Sequence, residues 1–395
     1  MILKKGFLVK FFIFIFLTFS LYGIVKTKAV TNIIFMVPDG LAISNVTAAR
    51  VYAFGTNKQR LYLETLDQIG YQSTHSLNSM ITDSAAAASA WACGEKFNNG
   101  EISFHCKTRT SPRTILELAR EMGKKSGLVA TSSITHATPA AFGAHVSDRD
   151  CENEIARQYI VKNGIDILLG AGKGIFQSSE MGADPCGTYG DFIELAKERD
   201  YTIVNTREEM FRSHKTAKKL LGLFRHVSLT PAHRRAKVKK SQDEPRLAEM
   251  TGVALQFLET HQKGFFLLVE GSQIDWANHA NNLEYQISET LEFDKAVKVV
   301  LDWVNQDSNR KESTLIVIVS DHDCGGFAIK GPWGKTLTRP GQYVNAGWIW
   351  GNHTGEDTMI WSQGPYSNHL GKAIDNTDIF HIMKAALYGK EYQKQ

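Results

Sequence analysis

Asp275 and His279 stand four residues apart in VEGSQIDWANHANN (269–282), directly after the apolar run FFLLV. On a helix such a pair shares one face, so a carboxylate and an imidazole point the same way, as metal ligands do. Three more segments carry such ligand residues, two of them again after an apolar run. TNIIFMVPDG runs into Asp39, STLIVIVSDHD runs into Asp321 and His322, and GNHTGEDT presents His353. One strand-end acid is ordinary; recurrence at four places points to a metal centre.

Two further segments supply reactive groups. In NSMITDSAAAASAWACG (78–94), Ser84 precedes an alanine-rich helical run and so stands at a helix N-terminus. Unpaired N–H groups and the helix dipole favour an anion there, and small alanines let a tetrahedral group approach. Taken alone, Ser84 reads more readily as an N-cap, a position where Ser and Asp are common. In SSITHATPAAFGAHVSDRDC (132–151), Thr135, His136, Thr138, His145 and Arg149 follow another apolar run. Arg149 can hold two phosphoryl oxygens with its planar fork. A surface cap or a salt-bridged arginine is the structural alternative, and His145, on an apolar helix face, is assigned to that structural role.

These residues need a scaffold that brings distant segments together. Apolar runs alternate with helical patterns: strands at 31–37, near 70–77, 126–133, 165–169, 201–204, 265–269 and 314–319, helices at 44–54, from 83, 113–122, 152–163, 190–198, 247–261, 283–305 and 376–387. That alternation predicts an α/β fold with a large, mostly parallel central sheet flanked by helices on both faces. Ligands of such sheets collect beyond the carboxyl ends of the strands, where Asp39, Glu270, Asp321 and His322 fall. Residues 30–395 read as one catalytic domain, with 205–246 and 323–364 as insertions at the sheet edge or over its active end.

Residues 1–29 stand apart. Lys4 and Lys5 precede an uncharged run from Phe11 to Val25, then Thr27-Lys28-Ala29, the pattern of a signal peptide. Export to the periplasm or the exterior is expected. A retained membrane anchor is the alternative, although this run is shorter than the ~20 residues a spanning helix needs. Removing 1–29 takes five lysines and no acids, which turns the formal charge of +4 into −1. Residues 211–240 keep ten Lys/Arg without an acid. No aromatic interleaving or recognition motif accompanies them, so a solvated excursion is expected rather than nucleic-acid binding. Five cysteines in an exported chain allow two disulfides. Cys151–Cys186 and Cys93–Cys106 would close short loops, spacing leaves the connectivity open, and Cys324 is expected to stay reduced.

With these residues assembled, the sequence resembles the alkaline phosphatases over nearly all of 30–395. The matching blocks include MVPDG (36–40), TDSAAAASA (82–90), THATPAAFGAHVSDRD (135–150), KGFFLLVEGSQIDWANHAN (263–281), VIVSDHDCGG (317–326) and HTGEDT (353–358). The resemblance implies a three-layer sandwich and a trinuclear site beside a serine. Asp275, His279 and His353 would hold one zinc, and Asp39, Asp321 and His322 a second. Asp39 would bridge to a magnesium bound by Thr138 and Glu270. Ser84 would be the nucleophile and Arg149 the phosphate clamp. The best-known bacterial form has an aspartate where His136 stands, and others have lysine or histidine where Trp276 stands, so this chain is similar to the smaller His/Trp subgroup. His136 could then serve the third metal, and Trp276 would weaken the hold on phosphate. The implied reaction is hydrolysis of small phosphate monoesters to inorganic phosphate, in a homodimer. The sulfatases and phosphodiesterases of the superfamily usually carry threonine or a modified cysteine at the nucleophile position. A non-catalytic phosphate- or metal-binding protein on this fold would lack a nucleophile or a ligand.

Overall fold

A computed structural model describes residues 28–177, 184–334 and 338–394. The expected signal peptide therefore lies almost wholly outside the described residues. Among these, no helix is long and apolar enough to cross a membrane.

The strands, in chain order, are β1 Asn32–Pro38, β2 Gln68–Ser73, β3 Lys125–Ser133, β4 Ile167–Ala171, β5 Tyr201–Val204, β6 Lys219–Leu223, β7 Phe265–Gly271 and β8 Thr314–Val319. Short β9 Asp323–Cys324, β10 Ala328–Gly331, β11 Asn345–Gly347 and β12 His353–Thr354 follow, then β13 Thr358–Gln363 and β14 Ala373–Asp375. Ten of them form one sheet in the order β14-β2-β13-β8-β1-β7-β3-β4-β6-β5. β13 runs antiparallel to both its neighbours, and the other pairings are parallel.

The central strands are apolar throughout because both sheet faces are covered. In β1, Ile33, Phe35 and Val37 enter one core with Trp91, Phe142 and Phe266. Ile34 and Met36 enter the opposite core with Leu267, Phe293 and Val297. Helices Ser84–Cys93, Ala137–Gly143 and Asn376–Tyr388 supply the first layer, and Leu247–Leu258 with Leu283–Asn305 the second. Parallel register carries the ends of the middle strands to one edge, with Val37 opposite Glu270 and Met36 opposite Ile318.

The stretch 205–246 is not wholly an insertion, nor 211–240 within it wholly a solvated excursion. Its residues Lys219–Leu223 form β6, which lies inside the sheet between β4 and β5. A five-residue apolar run, 220–224, is hidden between Lys219 and Arg225 in a basic stretch, and Lys219 places its ammonium over the Tyr201 ring at 5.0 Å. Likewise 323–364 ends in β13, a strand between β2 and β8. Cys151 and Cys186 form a disulfide, whereas Cys93, Cys106 and Cys324 are free thiols. The Cys93–Cys106 pairing is not made, since Cys93 is buried facing the Pro112 carbonyl and Cys106 is exposed beside that of Ser147.

Candidate functional site

The site begins where the middle strands end. β1 delivers Asp39, and Gly40 then turns the chain at φ +70°. A Cβ on Gly40 would lie 2.7 Å from the Asp275 Cα, so the turn and the close approach both demand glycine. β7 carries Glu270 as its penultimate residue and leads into the helix Gln273–His279, which carries Asp275, Trp276 and His279. Beyond β8, Asp321 accepts a hydrogen bond from the Gly40 N–H at 3.1 Å, which ties two strand ends together. His353 arrives on β12, paired with β9.

Three groups of donor atoms lie within 4.8 Å of one another: Asp275, His279, His353 and Cys324; Asp39, Asp275 and His322; and Asp39, His136 and Glu270. His279 Nε2 lies 3.2 Å from His353 Nε2 and 3.3 Å from Asp275 Oδ2. The Nδ1 atoms of the two rings face the carbonyls of Gly351 at 2.7 Å and Thr82 at 3.0 Å, so each ring turns Nε2 inward. His322 Nε2 lies 3.0 Å from Asp321 Oδ2 and 3.8 Å from Asp39 Oδ1. Both oxygens of Asp39, both of Glu270, Asp275 Oδ1 and Thr138 Oγ1 are buried without a hydrogen-bond partner. Orphaned carboxylate oxygens at this density are costly unless cations meet them, so the donor set fits metal ions.

Electrostatics agree. Burial raises the Asp39 pKa well above the carboxylate range, and Asp321, Asp275 and Glu270 add repulsion. Burial lifts Glu270 to about 7. His279 is pushed up to about 9, chiefly by its hydrogen bond to Asp275. Burial, with the neighbouring Arg149 charge, pushes His136 down to about 3, so its imidazole is a neutral donor.

Ser84 is the first residue of the helix Ser84–Cys93, and Asp83 is the N-cap, accepting from the Ala86 N–H. The N-cap alternative thus belongs to Asp83. Ser84 Oγ lies 3.2 Å from His322 Nε2. Arg149 donates to Asp83 Oδ2 at 3.0 Å and approaches His136 Nε2 at 3.3 Å. Thr82, Ser84, His136, Arg149, Asp275, Trp276, His279, Trp350 and His353 line one open cavity of about 460 Å³. Trp276 meets His136 edge-on at 6.0 Å.

All the candidate site residues therefore gather at one edge. His145 does not join them, as it is buried between Glu117 Oε1 at 3.0 Å and the Ser103 carbonyl at 2.7 Å. Thr135 turns away to donate to Glu152. Sequence reasoning missed two contributors, Asp83 as the partner of Arg149 and Trp350 on the cavity wall. Asp83 had a signal in its N-cap position, whereas Trp350 had none.

A family model described as alkaline phosphatase matches residues 30–340. The chain belongs to the alkaline phosphatase family. It is 31% identical to alkaline phosphatase 3 of Bacillus subtilis (strain 168), over 91% of this chain and 89% of that one. It is 30% identical to the alkaline phosphatase of Escherichia coli (strain K12), over 94% and 88% respectively. Among solved structures, alkaline phosphatase from the Antarctic bacterium TAB5 is similar with a TM-score of 0.78 and 29% identity, covering 93% of this chain and all of that one. A histidine-to-glutamate mutant of that protein is described with Mg bound in its M3 site. As a member of this family the chain is a metal-dependent phosphatase that hydrolyses phosphate monoesters, on the three-layer α/β scaffold expected of it.

Proposed function

We propose that hydrolysis runs at alkaline pH through a phosphoserine on Ser84, with two zinc ions and one magnesium ion held by the three donor groups. The observation that carries this reading is the placement of Ser84 Oγ, 3.2 Å from His322 Nε2 on a cavity wall shared with Arg149 and the converging ligands. Asp275, His279 and His353 would hold one zinc, and Asp39, Asp321 and His322 the other, since imidazole-containing sets suit zinc. Asp39, Thr138 and Glu270 would hold magnesium, an oxygen set, with His136 alongside. When bound, the ions would acidify the Ser84 hydroxyl and neutralise charge on the phosphoryl and leaving oxygens.

Ser84 Oγ attacks phosphorus as the bond to the alcohol oxygen breaks, giving phosphoserine and free alcohol. Water then attacks phosphorus in line, the Oγ–P bond breaks, and Ser84 is restored with release of inorganic phosphate. Arg149, braced by Asp83, offers its fork to the phosphoryl oxygens, and the helix N-terminus adds N–H groups and a favourable dipole. The cavity reads the phosphoryl group and leaves the alcohol toward solvent, which favours broad specificity. Placement in the periplasm or outside the cell is proposed on the leader pattern of 1–29, and the Cys151–Cys186 disulfide suits an oxidising compartment; cell fractionation checks it.

The test is hydrolysis of a chromogenic monoester at alkaline pH, with and without zinc and magnesium, beside Ser84→Ala and the matching diester. Metal-dependent monoester turnover should fall at least about 10³-fold in Ser84→Ala. Turnover retained in that variant, or a clear diester preference, would overturn the reading.

A further inference from the structure

We propose that Cys324 is a fourth protein donor to the metal held by Asp275, His279 and His353, making that position a sulfur–nitrogen–oxygen site. This rests on the reading that the group binds metal, and adds to it a ligand that the resemblance does not supply.

Cys324 Sγ lies within 4.8 Å of the ligand atoms of all three residues. It is fully buried. Backbone geometry fixes it there: Cys324 pairs with His353 across the two-residue ladder of β9 and β12, so the thiol and the imidazole come from facing positions. The chain then folds back at Gly325, φ +83°, whose N–H donates to the Asn352 carbonyl at 2.8 Å. A Cβ on Gly325 would meet the Trp348 ring at 2.3 Å, so the indole packs against this turn.

Two observations independent of the thiol point to a cation at this spot. Asp275 Oδ1 is buried with no hydrogen-bond partner. His279 and His353 each spend Nδ1 on a backbone carbonyl and bring their Nε2 atoms to 3.2 Å of each other. The other two free thiols have different surroundings, Cys93 against the Pro112 carbonyl and Cys106 against that of Ser147.

One sulfur, two imidazoles and a carboxylate are a zinc donor set, and zinc can expand beyond four donors to take a substrate oxygen as a fifth. Ligation replaces the thiol proton, which passes to solvent as the metal–sulfur bond forms. A soft thiolate biases the position toward zinc over magnesium, sorting the metals between sites that share Asp275 and Asp39.

Cobalt(II) reports sulfur ligation directly. Metal-free wild type titrated with cobalt should develop visible d–d bands together with an intense near-ultraviolet sulfur-to-cobalt band. That band should vanish in Cys324→Ala and Cys324→Ser and persist when Cys93 and Cys106 are both changed to alanine. Zinc affinity, measured by competition with a chromophoric chelator, should fall at least about tenfold in Cys324→Ala. Cobalt d–d bands without the sulfur band, or a sulfur band that survives in Cys324→Ala, would overturn the proposal and leave the metal reading standing. No cobalt uptake by the wild type would overturn both. Should the Cys324 variants fail to fold, the wild type and the Cys93/Cys106 double variant decide, because in the latter Cys324 is the remaining free thiol.

Discussion

Arg149 is proposed to work as a fork: Asp83 holds Nη1 at 3.0 Å and Nη2 lies 3.3 Å from His136 Nε2, which fixes the guanidinium plane on the cavity wall. A lysine would keep the charge and lose the planar pair of donors. Arg149→Lys is therefore expected to lower kcat/KM for a monoester by about 10–100-fold, measured beside wild type at matched metal content. Trp276 makes the opposite case, an aromatic side chain on the wall of the cavity proposed to take phosphate. Trp276→Lys should tighten inhibition by inorganic phosphate about tenfold; an unchanged inhibition constant would remove Trp276 from the account of phosphate release. The candidate ligands are legible in the sequence because acids and histidines stand at or just beyond the ends of apolar runs, a pattern that has no packing rationale. Asp83 is legible only as a cap. The proximity of Cys324 to His279 is not legible, since it depends on a two-residue ladder joining segments 29 positions apart.

At the level of elements, turns set the site as much as strands do. Gly40 lets β1 release Asp39 and pass under Asp275. Gly40→Ala adds a methyl group where the Asp275 backbone already stands and forces a left-handed conformation on an L-residue. Zinc retained after dialysis should drop, with affinity down at least about tenfold, while the far-ultraviolet circular dichroism stays unchanged. β1, β7 and β8 are legible as continuous apolar runs. β6 is masked by the basic residues on either side of its apolar run, Lys218 and Lys219 before it and Arg225 after it. β13 is masked by the Gly/Trp-rich stretch before it, and its antiparallel direction follows from pairing that no local pattern encodes. The segment 152–163 reads as one helix but changes at Gln158 into a π-helix.

For the molecule as a whole, stability should depend on a carboxyl far from the chemistry. Glu289 is buried on the helix Leu283–Asn305 and accepts from the Ala232 N–H at 2.6 Å. Burial lifts its pKa from 4.5 to about 7; Glu292 adds to the rise, while the Ala232 N–H and Arg235 oppose it. Because the folded value exceeds the unfolded one, its stabilising contribution is whole below pH 4.5 and is lost as pH rises through about 7. Glu289→Gln should raise Tm at pH 8 by about 2–4 °C, with a smaller gain near pH 5. Equal gains at both pH values would refute the assignment. The placement of β1 has a further consequence, for the timing of synthesis. Its neighbours are β7 and β8, with Ile33 opposite Phe266 and Asn32 opposite Thr314. A ribosome adding about 5–20 residues per second needs tens of seconds to deliver them. Until then the strand that will lie mid-sheet has neither of its native edges paired, so the centre of the sheet closes only after most of the chain has been made.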